Sequence, residues 1–373
     1  MEFRIDKETF LKALQKVQGI VEKRNAMPIL SNVLIEASGE RIFLTATDLE
    51  VGMKSSYPTN VVKEGKITVS AKKLYEITKE LSTAELTFST KENDWVEIRS
   101  GKAHFSIVGL SPDEFPYFPK INEDTYMKAD NHMFRDMIEK TSYAISNDET
   151  KYNLNGILIK VAEEEGGHAI LRMVATDGHR LSIAEKELAG IVIPELKNGV
   201  IFPKKGIYEL KKMTEEEEGD ILLGFTGNSA VIKKGSTVMV MRLVDGDFPD
   251  YTKVVPANND KSIISGREEL LHSLRRMAIL SSEKFKGIKF DIKAGSMEMS
   301  SSNPELGEAI EEIEVGYAGD PLTVRFNARY LIDVLTVLTD DNVELLLRDE
   351  LSPAIIKSAA NRDFMAVIMP MRL

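Results

Sequence analysis

The order helix, strands, helix, strands is written three times along the 373 residues of this chain, and that repeat constrains the fold more than composition does. Each third opens on an amphipathic stretch: Thr9-Phe10-Leu11-Lys12-Ala13-Leu14, then Met133-Phe134-Arg135-Asp136-Met137-Ile138, then Glu269-Leu270-Leu271-His272-Ser273-Leu274. Apolar residues fall at i and i+4 in all three, the period of a helix. A strand is predicted next, at residues 32–35, 156–159 and 288–292. A strand-end signature follows: Ala46-Thr47-Asp48, Ala175-Thr176-Asp177 and the looser Ser301-Ser302-Asn303. Second helices are predicted at 72–77, 204–210 and 330–335. The first two thirds close on segments that align without a gap, Leu110-Ser111-Pro112-Asp113-Glu114-Phe115-Pro116 and Leu243-Val244-Asp245-Gly246-Asp247-Phe248-Pro249, and the third closes at Met371-Arg372-Leu373. Alternating apolar residues and turn formers fill the rest, as antiparallel strands do. The spacing predicts an α+β fold of three repeated domains, 1–128, 129–253 and 254–373, each with two helices on antiparallel sheets. Three unrelated α+β domains are the alternative, and recurrence of the same signals in the same order argues against it. The acidic run at 215–218 reads as a solvated turn after a helix.

Hydrophobic residues make up 43% and charged residues 29%, enough to bury cores and stay in solution. The absence of cysteine excludes disulfides, Cys-ligated zinc and thiol catalysis. Charges run through the first twenty residues, unlike a signal peptide, and no apolar run approaches the roughly 18 residues of a membrane span. The expectation is a cytoplasmic protein with no membrane partner. A net charge of −11 argues against nucleic acid when taken alone, because phosphate binding needs a basic footprint. Its distribution argues the other way. The six predicted helix windows (7–18, 71–81, 131–141, 203–214, 266–278 and 327–338) hold sixteen Lys and Arg against nine Asp and Glu, and the remainder holds 32 against 50. If the helices share one face, that face is positive on an otherwise acidic protein and suits a phosphate backbone. Ordinary solvated helix faces give the same count, since lysine is a good helix former, so charge alone leaves both readings open.

Asp177-Gly178-His179-Arg180 could set His179 as a general base beside a carboxylate, but no nucleophile or orienting partner accompanies it. The five histidines, at 104, 132, 168, 179 and 272, show no metal-ligand spacing, and no G-x-G-x-x-G, P-loop or G-x-S-x-G occurs. Asp245-Gly246-Asp247 with Asp250 lacks the spacing and closing glutamate of a calcium loop and reads as a turn. No metal, cofactor or catalytic residue is expected. The Met-rich end, 365–371, is either a core strand or an adaptable docking surface.

Several of these segments together resemble a known family. Ala175-Thr176-Asp177-Gly178-His179-Arg180-Leu181, Phe248-Pro249-Asp250-Tyr251 and Met369-Pro370-Met371-Arg372-Leu373 are similar to segments of the bacterial beta sliding clamps, the processivity subunits of DNA polymerase III. So are Met27-Pro28-Ile29-Leu30-Ser31-Asn32 and Ala278-Ile279-Leu280-Ser281-Ser282-Glu283-Lys284-Phe285. The resemblance spans the whole chain in order. It implies three clamp domains per subunit, helices lining a hole, sheets outside, and a head-to-tail homodimer closed into a ring around duplex DNA without sequence preference. It implies no catalysis. Partners, meaning the clamp loader, the replicative polymerase and repair proteins, would dock through short linear motifs. Carried over, the pocket comprises Leu154, Thr176, Gly178, His179, Arg180, Leu181, Pro249, Lys253, Val254, Tyr330, Val367, Met369, Pro370, Met371 and Arg372. Lys253 stands where the family often has arginine, and lysine cannot fork its hydrogen bonds in the same way. Arg24, with Tyr152 and Lys204 as weaker matches, would face DNA. Phe105 and Ile107 would meet Ile279 and Leu280 of the other subunit. A monomeric peptide-binding scaffold that never touches DNA is the rival reading, separable by mass in solution.

Overall fold

The computed structural model describes residues 1–21, 27–119, 126–163, 169–188, 193–216, 219–281, 287–361 and 363–371. The first third supplies β1 (Glu2–Asp6), α1 (Lys7–Gln18), β2 (Asn32–Ser38), β3 (Arg41–Thr47), β4 (Val51–Pro58), β5 (Asn60–Lys63), β6 (Gly65–Ser70), α2 (Ala71–Glu80), β7 (Glu85–Thr90), β8 (Trp95–Ser100) and β9 (Ala103–Leu110). The second supplies β10 (Met127–Asp130), α3 (Asn131–Ser142), β11 (Gly156–Glu163), β12 (Ala169–Thr176), β13 (Arg180–Leu188), α4 (Pro194–Asn198), β14 (Val200–Pro203), α5 (Lys204–Glu216), β15 (Asp220–Thr226), β16 (Ser229–Lys234) and β17 (Thr237–Arg242). The third supplies β18 (Lys261–Gly266), α6 (Arg267–Ile279), β19 (Gly287–Lys293), β20 (Ser296–Asn303), β21 (Gly307–Glu314), β22 (Leu322–Asn327), α7 (Ala328–Val337), β23 (Asn342–Leu347), β24 (Ala354–Ser358) and β25 (Phe364–Ile368). All six predicted helices form, with ends within two residues of the windows. The acidic run starts inside α5 rather than in a turn, since Glu215 continues the helix, and Glu217 and Glu218 lie outside the described residues.

Local chemistry explains where these helices start. The Asp6 carboxylate caps α1 by accepting the Thr9 N–H at 2.8 Å, and Phe10, Ala13, Leu14 and Val17 then bury one face. Asn327 caps α7 through the Arg329 N–H at 2.9 Å. Beneath α1, Phe3 stacks on Phe88 at 4.9 Å and Phe10 meets Phe3 edge-on at 6.0 Å, so the first strand, the first helix and β7 share one aromatic knot.

The described chain divides into two compact units: Met1–Asn131 with Tyr208–Leu243, and His132–Ile207 with Val244–Leu373. The central third is thus shared between them. The reason is strand pairing between repeats. In the first unit β17 lies antiparallel to β4, with Met241 opposite Val51, within one 13-stranded sheet. In the second, β25 lies antiparallel to β13, with Ile368 opposite Arg180, within an eight-stranded sheet. A four-stranded sheet, ordered β21-β20-β19-β22, completes the second unit. Of the expected boundaries, 128 falls inside β10 and 253 inside a 3-10 turn, Tyr251–Val254.

Candidate functional site

The second unit gathers most of the expected pocket residues at the joint of β13 and β25. The turn from β12 to β13 is built by two side chains. Thr176 Oγ1 accepts the Gly178 N–H at 3.1 Å and donates to the Arg180 carbonyl at 2.6 Å. Asp177 Oδ1 accepts the N–H groups of His179 and Arg180 at 2.9 and 3.0 Å. Gly178 takes φ 91°, a conformation that costs glycine nothing. The C-terminal segment joins here, the Met369 N–H donating to the His179 carbonyl at 2.9 Å and the Met371 N–H to the Arg325 carbonyl at 2.8 Å.

Arg180 is brought to the site but turned inward, with 10% of its side chain exposed. Its guanidinium donates to Asp177 Oδ2 at 3.0 Å, to Asp333 Oδ2 at 2.7 Å and to the Tyr143 carbonyl at 2.5 Å, and lies over the Tyr330 ring at 4.6 Å and the Tyr143 ring at 5.2 Å. Burial works against its charge, but Asp333 and Asp177 outweigh burial and hold its pKa above the ordinary arginine value. Burial also pushes the Tyr143 phenol well above its ordinary range. His179 stacks on Tyr330 with ring planes 19° apart. Tyr143 and Asp333, which lock this arrangement, escape sequence reasoning because neither sits in a motif.

Beside this polar knot, Leu181 and Val367 face each other across the strands and join Leu158, Val174, Ile183, Ile201, Tyr251 and Ile355 in a buried apolar cluster. Met369 and Val254 are exposed large apolar residues, Pro249 is exposed, and Pro370 and Met371 are half-buried. Leu154 is buried at the end of a 3-10 turn. Lys253 is exposed and pairs with Asp250 at 3.1 Å; the Asp250 carboxyl is held below its ordinary range by Thr252 first and Lys253 second. Arg372 lies outside the described residues, as does Arg24 of the expected DNA-facing set. Tyr152 is exposed beside Gly246, and Lys204 Nζ donates to Asn147 Oδ1. Gly246 has φ 108° in the Asp245–Asp247 turn, and no cluster of metal-ligating side chains occurs among the described residues. Among the described residues, no helix is long and apolar enough to cross a membrane.

Phe105 and Ile107 lie on β9, on the side of that strand shared with the buried Val96 and Ile98 of β8. Ile279, at the end of α6, is 73% exposed, and Leu280 follows it. Along residues 103–108, β9 pairs with β8 alone, touching β6 only at Gly109 and Leu110, and β21 has β20 as its one strand neighbour among the described residues.

A chain written three times on one plan, joined through strand pairs and presenting exposed apolar residues beside a joint, defines a modular clamp-type scaffold. Models of the DNA polymerase III beta subunit match it throughout: the N-terminal domain at residues 1–119, the central domain at 128–250 and the C-terminal domain at 252–372. A beta sliding clamp of Pseudomonas putida is 37% identical over 374 residues, with both chains fully covered. A solved DnaN sliding clamp from Bartonella birtlesii, bound to griselimycin, superposes with a TM-score of 0.95 at 34% identity, and the DNA polymerase III beta subunit of Pseudomonas aeruginosa with 0.91 at 36%, each over the whole of both chains. The chain belongs to the beta sliding clamp family, the beta subunits of bacterial DNA polymerase III. Its members are processivity factors in DNA replication and not enzymes.

Proposed function

We propose that two copies of this chain close head to tail into a ring that encircles duplex DNA in the cytoplasm and tethers the replicative polymerase to it. The observation that carries this reading is the pattern of joints. β4 receives β17 and β13 receives β25, each time a strand that follows the hairpin turn of one repeat paired with the closing strand of the next. The third such strand, β21, and the first closing strand, β9, are the two left open. An open edge of this kind seeks a strand. Pairing β21 of one copy with β9 of another repeats the joint and, done twice, leaves neither of these two strands unmatched in either copy. Phe105 and Ile107 then approach Ile279 and Leu280 on the helix side of the seam.

Retention on DNA comes from closure, and mobility from phosphate contacts that read no sequence. The excess of bases in the helices supports a helix-lined hole, with Arg24, Tyr152 and Lys204 toward DNA. The exposed Met369 and Val254, near the buried Leu181 and Val367 and the stacked His179 and Tyr330, support docking of the apolar anchors of a short linear motif on this surface. The clamp loader and repair proteins are proposed to use the same surface, so that re-engagement of a bound polymerase becomes intramolecular.

Native mass spectrometry and retention on DNA test this together. The expected result is a dimer at micromolar concentration which, once loaded, survives a high-salt wash on circular DNA and slides off the linear form. A monomer, or equal loss from circles and lines, overturns the reading.

A further inference from the structure

The repeat fixes the register of the open seam, and that register brings together three exposed apolar residues. On the closing strands the equivalences follow from hydrogen bonds. Leu110 lies opposite Thr68 of β6, the Val244 N–H donates to the Ile201 carbonyl of β14, and the Met371 N–H donates to the Arg325 carbonyl of β22. Thr68, Ile201 and Arg325 each stand three residues before the first residue of a second helix. Leu110, Val244 and Met371 are therefore equivalent, one residue away from the gap-free sequence alignment of Leu110 with Leu243. Counting back, Ile107 matches Met241 and Ile368, while Val108 matches Arg242 and Met369. On the receiving strands, Ala46 lies opposite Met53 and Ser301 opposite Ala309, so Val51 matches Gly307.

Met241 faces Val51 in the existing joint, so Ile107 faces Gly307 of a second copy in the seam. Phe105 then faces Ala309, on the side of β21 where Glu311 meets α6. On the opposite side of the same ladder Lys102 faces Glu312, His104 faces Ile310 and Val108 faces Leu306. A base opposite an acid at the strand end agrees with this register. The Arg242 and Met369 N–H groups donate to the carbonyls of Glu50 and His179, and the equivalent bond runs from the Val108 N–H to the Leu306 carbonyl.

Val108 is also the cross-strand partner of Trp95 on β8. Trp95 is 43% exposed, Val108 58% and Leu306 63%. Three large apolar side chains left in water, Val108 and Leu306 at the two open strands and Trp95 on the strand beside β9, are not the ordinary scatter of single surface residues. In the two joints already closed, the positions of Val108 and Leu306 hold Arg242 with Glu50 and Met369 with His179, so the apolar pair belongs to the seam alone.

We propose that Trp95 and Val108 of one subunit close over Leu306 of the partner subunit, forming an apolar clasp on the side of each seam away from the helices. The clasp rests on the ring reading above and adds to it a second set of anchors, independent of Phe105, Ile107, Ile279 and Leu280. Trp95 is the one tryptophan of the chain, so its fluorescence reports this contact directly.

The test dilutes the full-length protein through its dissociation range, following tryptophan emission and acrylamide quenching alongside mass photometry. Emission is expected to shift to the blue and quenching to fall as dimer forms. Leu306→Ser, at an exposed turn position and with circular dichroism as the control for folding, is expected to weaken both changes and raise the dimer dissociation constant about tenfold or more. A dimer whose Trp95 emission and quenching equal the monomer's, with Leu306→Ser dissociating at the wild-type concentration, overturns the clasp and leaves the ring standing. A wild-type chain that stays monomeric at micromolar concentration overturns the ring reading and the clasp with it.

Discussion

Arg180 carries one positive charge between two carboxylates, Asp177 and Asp333, beneath the rings of Tyr143 and Tyr330. The resemblance places it among residues that touch a docked peptide, whereas its hydrogen bonds show a residue that builds the wall for His179 and Tyr330. Arg180→Ala removes the guanidinium the two carboxylates share, leaving Asp333 with Arg329 at 2.8 Å and Asp177 with its two backbone N–H groups, and should cost about 2 kcal/mol in urea denaturation. Arg180→Lys should recover only part of that, because lysine cannot reach two acids and a carbonyl with one fork. A loss equal to that of an exposed-arginine control would remove the structural role. Another residue shows the opposite economy. Leu49 occupies the turn position of Gly178, with the same threonine and aspartate caps, at φ 78°. A leucine is strained there, and its side chain is largely exposed. Leu49→Gly should raise stability by about 1 kcal/mol, the strain relieved less the entropy that glycine loses. A lower thermal midpoint would contradict this.

Between elements, α6 is tied to β21 through Glu311, which accepts from Ser273 at 2.6 Å and from Arg276 Nε at 2.9 Å. Arg276 is the largest cause holding the Glu311 carboxyl below the ordinary glutamate range. A carboxyl with a depressed folded value adds stability that is complete above its unfolded value and disappears as pH falls through the folded one. Acid titration should therefore erode the wild type more steeply than Glu311→Gln below the ordinary glutamate range, with the two curves parallel at neutral pH; identical acid limbs would rule the tie out. Such ties between elements escape the sequence for the same reason the joints do. The six long helices are legible because their signal, apolar residues at helical spacing, is local; the structure adds side-chain caps for three of them, at Asp6, Ser70 and Asn327. α4, with five residues, is too short to show a period. The turn at Thr176-Asp177-Gly178 is legible because its side chains bond within three residues. That β17 adds to β4, and β25 to β13, is not, since any open edge of matching length could have served. Leu110 aligns with Leu243 by residue type and with Val244 by hydrogen bonding, a one-residue slip that would turn every seam side chain to the wrong face.

At the scale of the whole molecule, the proposed ring predicts a covalent test that needs no background substitutions, because the chain has no cysteine. In the seam register His104 of one copy faces Ile310 of the other, both on the side away from the helices. Residues directly opposite in an antiparallel ladder lie about 4.5–5.5 Å apart at Cα, inside the range a disulfide spans. His104→Cys with Ile310→Cys should therefore oxidise to a species of twice the chain mass on a non-reducing denaturing gel. Moving the second cysteine one residue, to Glu311, turns it toward Arg276 and α6 and should abolish the bond. Both seams of a ring close at once, so order of operations matters. Oxidised before loading, the ring should fail to enter circular DNA. Oxidised after loading, it should remain threaded on the circle through denaturant, held by no contact at all, and be released by thiol or by a single cut in the DNA. Release by denaturant alone, from circles on which both seams have formed, would mean that the protein binds the outside of the duplex and that its joints close around nothing.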